Sequence, residues 1–436
     1  MLGLLDLAPE LLNSVIQCLI PEREFTADAD LYRLARVSRQ LYNITEPYLY
    51  TKFIQTESKT TSTLLRTLLE KPEYASRMKM IHGYIRSAHE YLSKDEDDVD
   101  EGGEGAEDLK LQRDNEDLAS MIKACKSFNL HSDNGPTREQ WVSALTSRKP
   151  EACFAIMVLL LPNLKSLSMT TITRWDNFNA TFFSQVINLV VQSPNLFLTK
   201  LENLSYNHEY SEHCIYIEAI SPFIYLPSLR EVTLYNLSAA ELMWEKPFKS
   251  QIEVLDIENS AIDDEVWPVL LQPMHHLKRL TYTLGYPNHV AFMNNSLEGL
   301  TAGLQVVKNT LEFLYAGEYF LDCEEILLGT LRDFPKLREI NVQMGMLIGL
   351  ENNKSTEELW EKLPFGLEKV SFDGGEDGES EYDEKSRQDT VEQVMGVVLT
   401  SETHFPSLRH ISMRSYGNLD LEPLKAICTE RGIVLN

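Results

Sequence analysis

The chain has no pair of cysteines at metal-binding or redox spacing; its six, Cys18, Cys125, Cys153, Cys214, Cys323 and Cys428, are scattered singly. That pattern excludes a disulfide framework and suits a reducing compartment, so the expected localisation is cytoplasmic or nuclear. Basic residues are also short: 40 Lys and Arg against 66 Asp and Glu leave a formal charge of −26. A nucleic-acid surface needs a basic stripe to neutralise phosphates, so nucleic acid is not an expected partner, and nor is an anionic membrane. No apolar run is long. The longest, Ala152 to Leu161, is ten residues bounded by prolines, half a membrane span, and it reads as a buried helix. The N-terminus is apolar but meets Asp6 and Glu10 early and has no basic stretch, so no signal peptide is expected.

Signatures of catalysis are missing too. There is no Gly-x-Ser-x-Gly, no Gly-x-x-x-x-Gly-Lys and no His-Glu-x-x-His. His208, Glu209, His213 and Cys214 gather possible ligands, but the two histidines are five apart and do not share a helix face. Asp373 to Glu384 partly matches a calcium loop, yet its third position is Gly375 and its eighth is Ser380. Ser380, followed by Glu381 and Asp383, also fits an acidophilic kinase site by composition. No catalytic residue, metal or cofactor is expected. An enzyme with a site assembled from distant residues stays open as an alternative.

What is present is a repeat. An apolar residue, two variable ones, an apolar, one polar and another apolar or aromatic recur nine times. The copies start at Leu164, Leu201, Leu229, Ile252, Leu277, Leu311, Leu337, Leu367 and Leu408, with Met78 to Ile81 as a weaker, earlier copy. Several carry a proline just before the start: Pro162, Pro227, Pro335 and Pro406. A proline there ends a preceding helix and biases its neighbour toward extended backbone. Helical stretches lie between copies, at Phe182–Val191, Ser296–Val307, Glu324–Leu331 and Thr390–Leu399. The middle position is polar or aromatic throughout: Ser168, Ser205, Thr233, Asp256, Thr281, Tyr315, Asn341, Ser371 and Ser412. Strands of a doubly wound sheet are buried on both faces and read as continuous apolar runs. Alternation on a parallel sheet instead means one wet face. Strand then helix at this spacing resembles a leucine-rich-repeat solenoid, in which stacked units share one core. The usual asparagine after the strand is mostly missing; Ser260 occupies its place in the 252 copy.

The first fifty residues read differently. Pro9 suits a first helical turn, and Leu11, Leu12, Val15, Ile16 and Leu19 follow at helical spacing. Pro21 ends that helix. Leu31, Leu34 and Val37 form a second stripe, and Leu41, Tyr42 and Ile44 begin a third. In order, the segment resembles an F-box, the helical module that docks a substrate receptor onto the Skp adaptor of a cullin–RING ubiquitin ligase. The ending Pro47-Tyr48-Leu49-Tyr50 is similar to the fungal branch of that family. Ala8, Ser38 and Leu41 stand where the family commonly has Pro, Cys and Trp.

The expected architecture is thus a small all-α module over residues 1–50, a helical capping region over 51–160 and an α/β solenoid with a curved parallel sheet over 161–436. Thr137 to Gln140 is a capping box within the middle region. Acidic loops are expected at 94–108 and 373–389. Residues 95–108 hold nine acids and 373–384 seven, without a base in either. The resemblance implies adaptor contacts at Leu7, Pro9, Leu11, Leu12, Ile16, Leu34 and Val37, and through the adaptor a cullin. Target capture is expected on the outward strand positions Tyr235, Glu258, Arg279, Phe313, Tyr315, Gln343 and Arg414. A repeat scaffold whose F-box no longer recruits a ligase is the alternative.

Overall fold

A computed structural model of the chain describes residues 7–19, 29–55, 58–85, 119–124, 126–128, 136–171, 182–193, 195–209, 214–285, 297–318, 327–349, 358–373, 384–414 and 421–436. Its contacts divide into two units, residues 1–209 with 226–228, and 210–225 with 229–436. The division falls inside the repeat region.

The first unit opens with three helices, α1 (Pro9–Cys18), α2 (Ala29–Ala35) and α3 (Arg39–Leu49). Ser38 caps α3 by accepting a hydrogen bond from the Leu41 N–H. Then come β1 (Lys52–Ile54), α4 (Ser58–Glu70), α5 (Pro72–Arg77) and β2 (Met80–Ile85), followed after residue 136 by β3 (Ser166–Thr171) and β4 (Asn203–His208). These four strands pair in chain order, all parallel. The sheet therefore starts at residue 52, within the region expected to be helical. The Met78 copy is a full strand, with Ile81 buried. Thr137 and Gln140 form both bonds of the capping box that starts the helix Arg138–Thr146. The apolar run forms the helix Pro150–Leu159, buried along its length. It lies against β2 so closely that a Cβ at Gly83 would come within 2.2 Å of the Phe154 ring.

The second unit holds β5 (Ile215–Tyr216), β6 (Glu231–Tyr235), β7 (Leu237–Ala239), β8 (Val254–Ile262), β9 (Arg279–Leu284), β10 (Phe313–Glu318), β11 (Glu339–Gln343), β12 (Lys369–Asp373), β13 (His410–Arg414) and β14 (Val434–Leu435). All nine copies of the sequence pattern are strands. The main order is β6-β8-β9-β10-β11-β12-β13-β14, and every pair is parallel. Parallel strands in chain order, joined by crossovers of the usual right hand, carry their connections on one face. That face carries the core: Leu229, Val232 and Leu234, then Leu277, Leu280 and Tyr282, then Leu311, Leu314 and Ala316 are all buried.

The same turn introduces strand after strand. The N–H of the first apolar residue bonds to the carbonyl three residues back at Leu164, Leu201, Leu277, Leu337, Leu367 and Leu408. One position further on, the residue donates its N–H to the carbonyl of its counterpart in the preceding strand. The chain of bonds runs Glu253 to Arg230, Lys278 to Glu253, Glu312 to Lys278, Arg338 to Glu312, Glu368 to Arg338 and Arg409 to Glu368, each 2.7–2.9 Å. The side chains along this row alternate in sign. Lys278 Nζ reaches Glu253 at 2.6 Å, and Arg338 pairs with Glu368.

Past the strands, Asn236 and Asn259 take left-handed backbone, φ 61° and 47°, which asparagine tolerates better than most residues. Asn259 Nδ2 donates to Asn236 Oδ1. An extra residue there makes a bulge in β8 against β9. The buried Ser260 hydroxyl accepts from the Leu237 N–H at 2.8 Å. Gly285 closes this ladder, since a Cβ on it would lie 2.0 Å from Asn259 Oδ1 and 2.5 Å from the Asn259 carbonyl carbon.

Two expectations are corrected. Residues 327–331 are not helical, unlike the stretch expected at Glu324–Leu331; residues 324–326 lie outside the described residues. The second acidic segment is shorter than 373–389, because Asp373 ends β12 and a helix runs Glu384–Leu399. The segment 94–108 lies outside the described residues.

Gly285→Ala should lower stability by about 1–3 kcal/mol, because the new methyl meets the Asn259 backbone as well as its side chain, and the backbone cannot swing away. Urea unfolding of the two proteins gives the comparison. Glu253→Lys should cost about 1 kcal/mol at low salt by setting three like charges side by side, with most of the loss recovered in 1 M salt. A loss that ignores salt would show that the alternation is not electrostatic.

Candidate functional site

Two surfaces bring predicted residues together. The first is α1 and its neighbours. A helix with apolar residues at 11, 12, 15 and 16 has two candidate faces, and burial divides them. Leu12 and Ile16 are 2% and 1% exposed, while Leu7, Leu11 and Val15 are 37%, 56% and 38% exposed. Leu11 and Val15 share one face, and Leu7 stands one turn before them. Leu12 and Ile16, expected among the adaptor contacts, are core residues and do not meet solvent. Leu34 is half-buried, Val37 is exposed just beyond the end of α2, and Pro9 occupies the first turn of α1. Tyr32, which periodicity did not single out, is exposed, and so is Tyr42 of the third stripe.

A polar network ties α3 to α5, the helix just before β2. Glu46 on α3 accepts hydrogen bonds from the hydroxyls of Tyr74 on α5 and of Tyr42. The Tyr74 bond is the first reason its carboxyl sits below the usual glutamate range. Tyr50 stacks on Tyr74 with ring centres 3.9 Å apart, and Lys71 and Arg77 lie over the Tyr74 ring. Tyr74 itself is buried. The C-terminal end of α3 is thereby fixed, although Pro47 lacks the N–H that would bond back to Asn43.

The second surface is the face of the second unit's sheet opposite its connections. Register arranges its side chains in three rows. The first runs Glu231, Val254, Arg279, Phe313, Glu339, Lys369 and His410. The middle row runs Thr233, Asp256, Thr281, Tyr315, Asn341, Ser371 and Ser412. Tyr235 and Glu258 are neighbours in the third, which also holds Gly317, and Gln343 and Arg414 flank Asp373 at its far end. Phe313 and Tyr315 point away from the buried Leu314 and Ala316, so the assigned register is correct.

Neighbouring strands couple these groups. The Arg279 guanidinium lies 3.8 Å from the Phe313 ring centre and 3.8 Å from Asp256 Oδ1. Lys369 Nζ reaches Glu339 at 2.5 Å. Burial, with the charge of Asp256 beside it, raises the Glu258 carboxyl above its ordinary range. The middle row is less wet than expected: Ser371 and Ser412 are buried and none of the row is fully exposed. Polar atoms of Asp256, Thr281 and Asn341 are buried without a hydrogen bond. Gln343 is buried too, and is corrected as a surface contact. Arg279 and Arg414 are exposed.

The possible ligands and nucleophiles of the sequence are placed as follows. His208 is a buried residue of β4, and His213 lies outside the described residues. Most of the segment 373–384 also lies outside them. Among the described residues no group of three His, Cys, Asp or Glu is placed to hold a metal ion, and no helix is long and apolar enough to cross a membrane. Burial pushes the Cys153 thiol up to about 12, which makes it inert as a nucleophile. No known protein-family profile matches the chain, and no curated protein matches it.

Proposed function

We propose that this chain is the substrate-recognition subunit of an Skp- and cullin-based ubiquitin ligase, with an F-box at its start and a leucine-rich-repeat receptor after it. The observation that carries the reading is the exposed apolar line Leu7, Leu11 and Val15 on a short three-helix segment, where Val37 is exposed too. Exposed apolar residues grouped on one helix favour a protein partner over solvent. The in-order F-box pattern names the Skp adaptor as that partner, and the adaptor would bring the cullin. The parallel sheet with all its connections on one face supports a solenoid whose other face is left for a target protein. Such a receptor performs no catalysis of its own.

Leu11→Arg combined with Val15→Arg places two charges on the exposed line and leaves Leu12 and Ile16 in the core. Adaptor captured by the tagged chain should fall at least tenfold while the melting temperature stays within a few degrees. A wild-type chain that captures no adaptor would favour the scaffold reading.

Phe313→Ala with Tyr315→Ala should remove co-purifying targets and spare adaptor capture, since aromatic anchors at an interface are commonly worth about 2 kcal/mol or more. Mass spectrometry of both purifications provides the measurement. An unchanged target list would move the receptor surface off this face.

A further inference from the structure

Along the rim where the second unit's strands begin, every cation has an acid beside it. The bonded row there runs Arg230, Glu253, Lys278, Glu312, Arg338, Glu368 and Arg409. The same row in the first unit breaks that rule. Lys79 donates its N–H to the Thr51 carbonyl, Lys165 to the Lys79 carbonyl and Glu202 to the Lys165 carbonyl. Two lysines thus lead into neighbouring strands, β2 and β3, about 4.8 Å apart along the row. Like charges side by side on a sheet are destabilising. Lys165 has Glu202 at 2.8 Å. Among the described residues no acid pairs with Lys79, which is exposed.

A second row lies two residues earlier on the same three lead-ins: Arg77, Asn163 and Lys200. Asn163 holds it together. Its Nδ2 donates to the Ser76 carbonyl at 2.6 Å, and its Oδ1 accepts from Lys200 Nζ at 2.6 Å. That partner is neutral, so the charge of exposed Lys200 is not offset by it. Arg77 is half-buried over the Tyr74 ring. Glu46 feels the charges of Lys71 and Arg77, but its carboxylate is already taken up by the Tyr74 and Tyr42 hydroxyls. The two rows together set Arg77, Lys79, Lys165 and Lys200 against one acid, Glu202. Screening limits the reach of each charge to about 8 Å at physiological ionic strength. These groups therefore decide what lies against the rim, in spite of the −26 of the whole chain.

We propose that this rim of the first unit docks an acidic segment of a partner protein, a run of aspartate or glutamate. It uses none of the residues assigned to the adaptor or the target, and it does not depend on the ligase reading. Three of the four cations are lysines, point charges set out along a line, and Arg77 is committed to Tyr74. That arrangement suits carboxylates about 7 Å apart on one side of an extended chain better than a single phosphate gripped by a guanidinium fork. A nucleic acid would need a longer basic stripe. An anion lying between Lys79 and Lys165 relieves their repulsion, so the rim gives up a little stability in the free chain and gains a binding site.

The test is fluorescence anisotropy with the full-length chain and a labelled peptide alternating glutamate and serine. Wild type should bind it, more weakly as salt rises, and should not bind the glutamine counterpart. Lys79→Glu completes the alternation of its row. It should weaken binding at least tenfold while the melting temperature holds or rises, a combination that a merely structural lysine would not give. Lys200→Gln, which removes the charge and keeps a donor for Asn163, should weaken binding severalfold. Lys278→Gln, on the second unit's row, should leave it within twofold. No binding of the glutamate peptide, equal binding of the glutamine peptide, or unchanged binding by Lys79→Glu would overturn the proposal. A melting temperature that falls with Lys79→Glu would overturn it too, by making that lysine structural. Tighter binding of a singly phosphorylated peptide or of a single-stranded oligonucleotide would overturn it in favour of that ligand.

Discussion

One backbone hydrogen bond, repeated strand after strand, holds the second unit in its form. The residue after the first apolar position donates its N–H to the carbonyl of its counterpart in the strand before. Each bond is worth little by itself, about 1 kcal/mol net. Its importance is register. A slip of one residue would turn Leu314 and Ala316 outward and bury Phe313 and Tyr315. It would also break up all three rows on the open face. Pairing thus decides which residues are core and which are available to a partner, before any side-chain chemistry enters.

Much of this was legible in the residues. Alternation of apolar and polar positions marks a half-buried strand, and a proline or a tight turn before it marks its start. That combination located nine strands and the outward direction of Phe313, Tyr315, Tyr235 and Glu258. The helices Phe182–Gln192 and Glu298–Val307 were legible for the matching reason, a helical apolar spacing between two strands. The stretch at 327–331 was not. Its apolar residues Leu328 and Leu331 are spaced as in a helix turn, and both are buried. Their N–H groups, however, bond across to Met346 and Lys362 instead of along a helix. Spacing reports which side chains are inward, and not which carbonyl a given N–H will find.

The same limit explains the misplaced contacts on α1. Apolar residues at 11, 12, 15 and 16 cover a band of roughly 140° of the helix circumference, so periodicity cannot say which edge of that band faces solvent. Burial of Leu12 and Ile16 settles it. Gln343 was assigned outward by its place in the pattern, and it does follow the outward row, but neighbours cover it. The cross-strand pairs Asp256 with Arg279 and Glu339 with Lys369 were invisible for another reason. They join residues 23 and 30 positions apart, and only the register identifies them as neighbours.

The alternating charges at the bonded position carry a consequence for how such an array could have grown. Read along the strands, they run Arg230, Glu253, Lys278, Glu312, Arg338, Glu368 and Arg409. Excision of one unit from the interior would bring two like charges together. Excision of two would leave opposite charges in contact. Duplication obeys the same parity. The penalty for each mismatch is small, on the order of 1 kcal/mol at an exposed site, but it falls on every copy-number error of odd size. Descent by pairs of units would leave this signature, and the first unit, where Lys79 and Lys165 stand at successive strands, lies outside the alternation. The sign sequence therefore sets which changes in unit number the array would tolerate, as well as how the folded chain is charged.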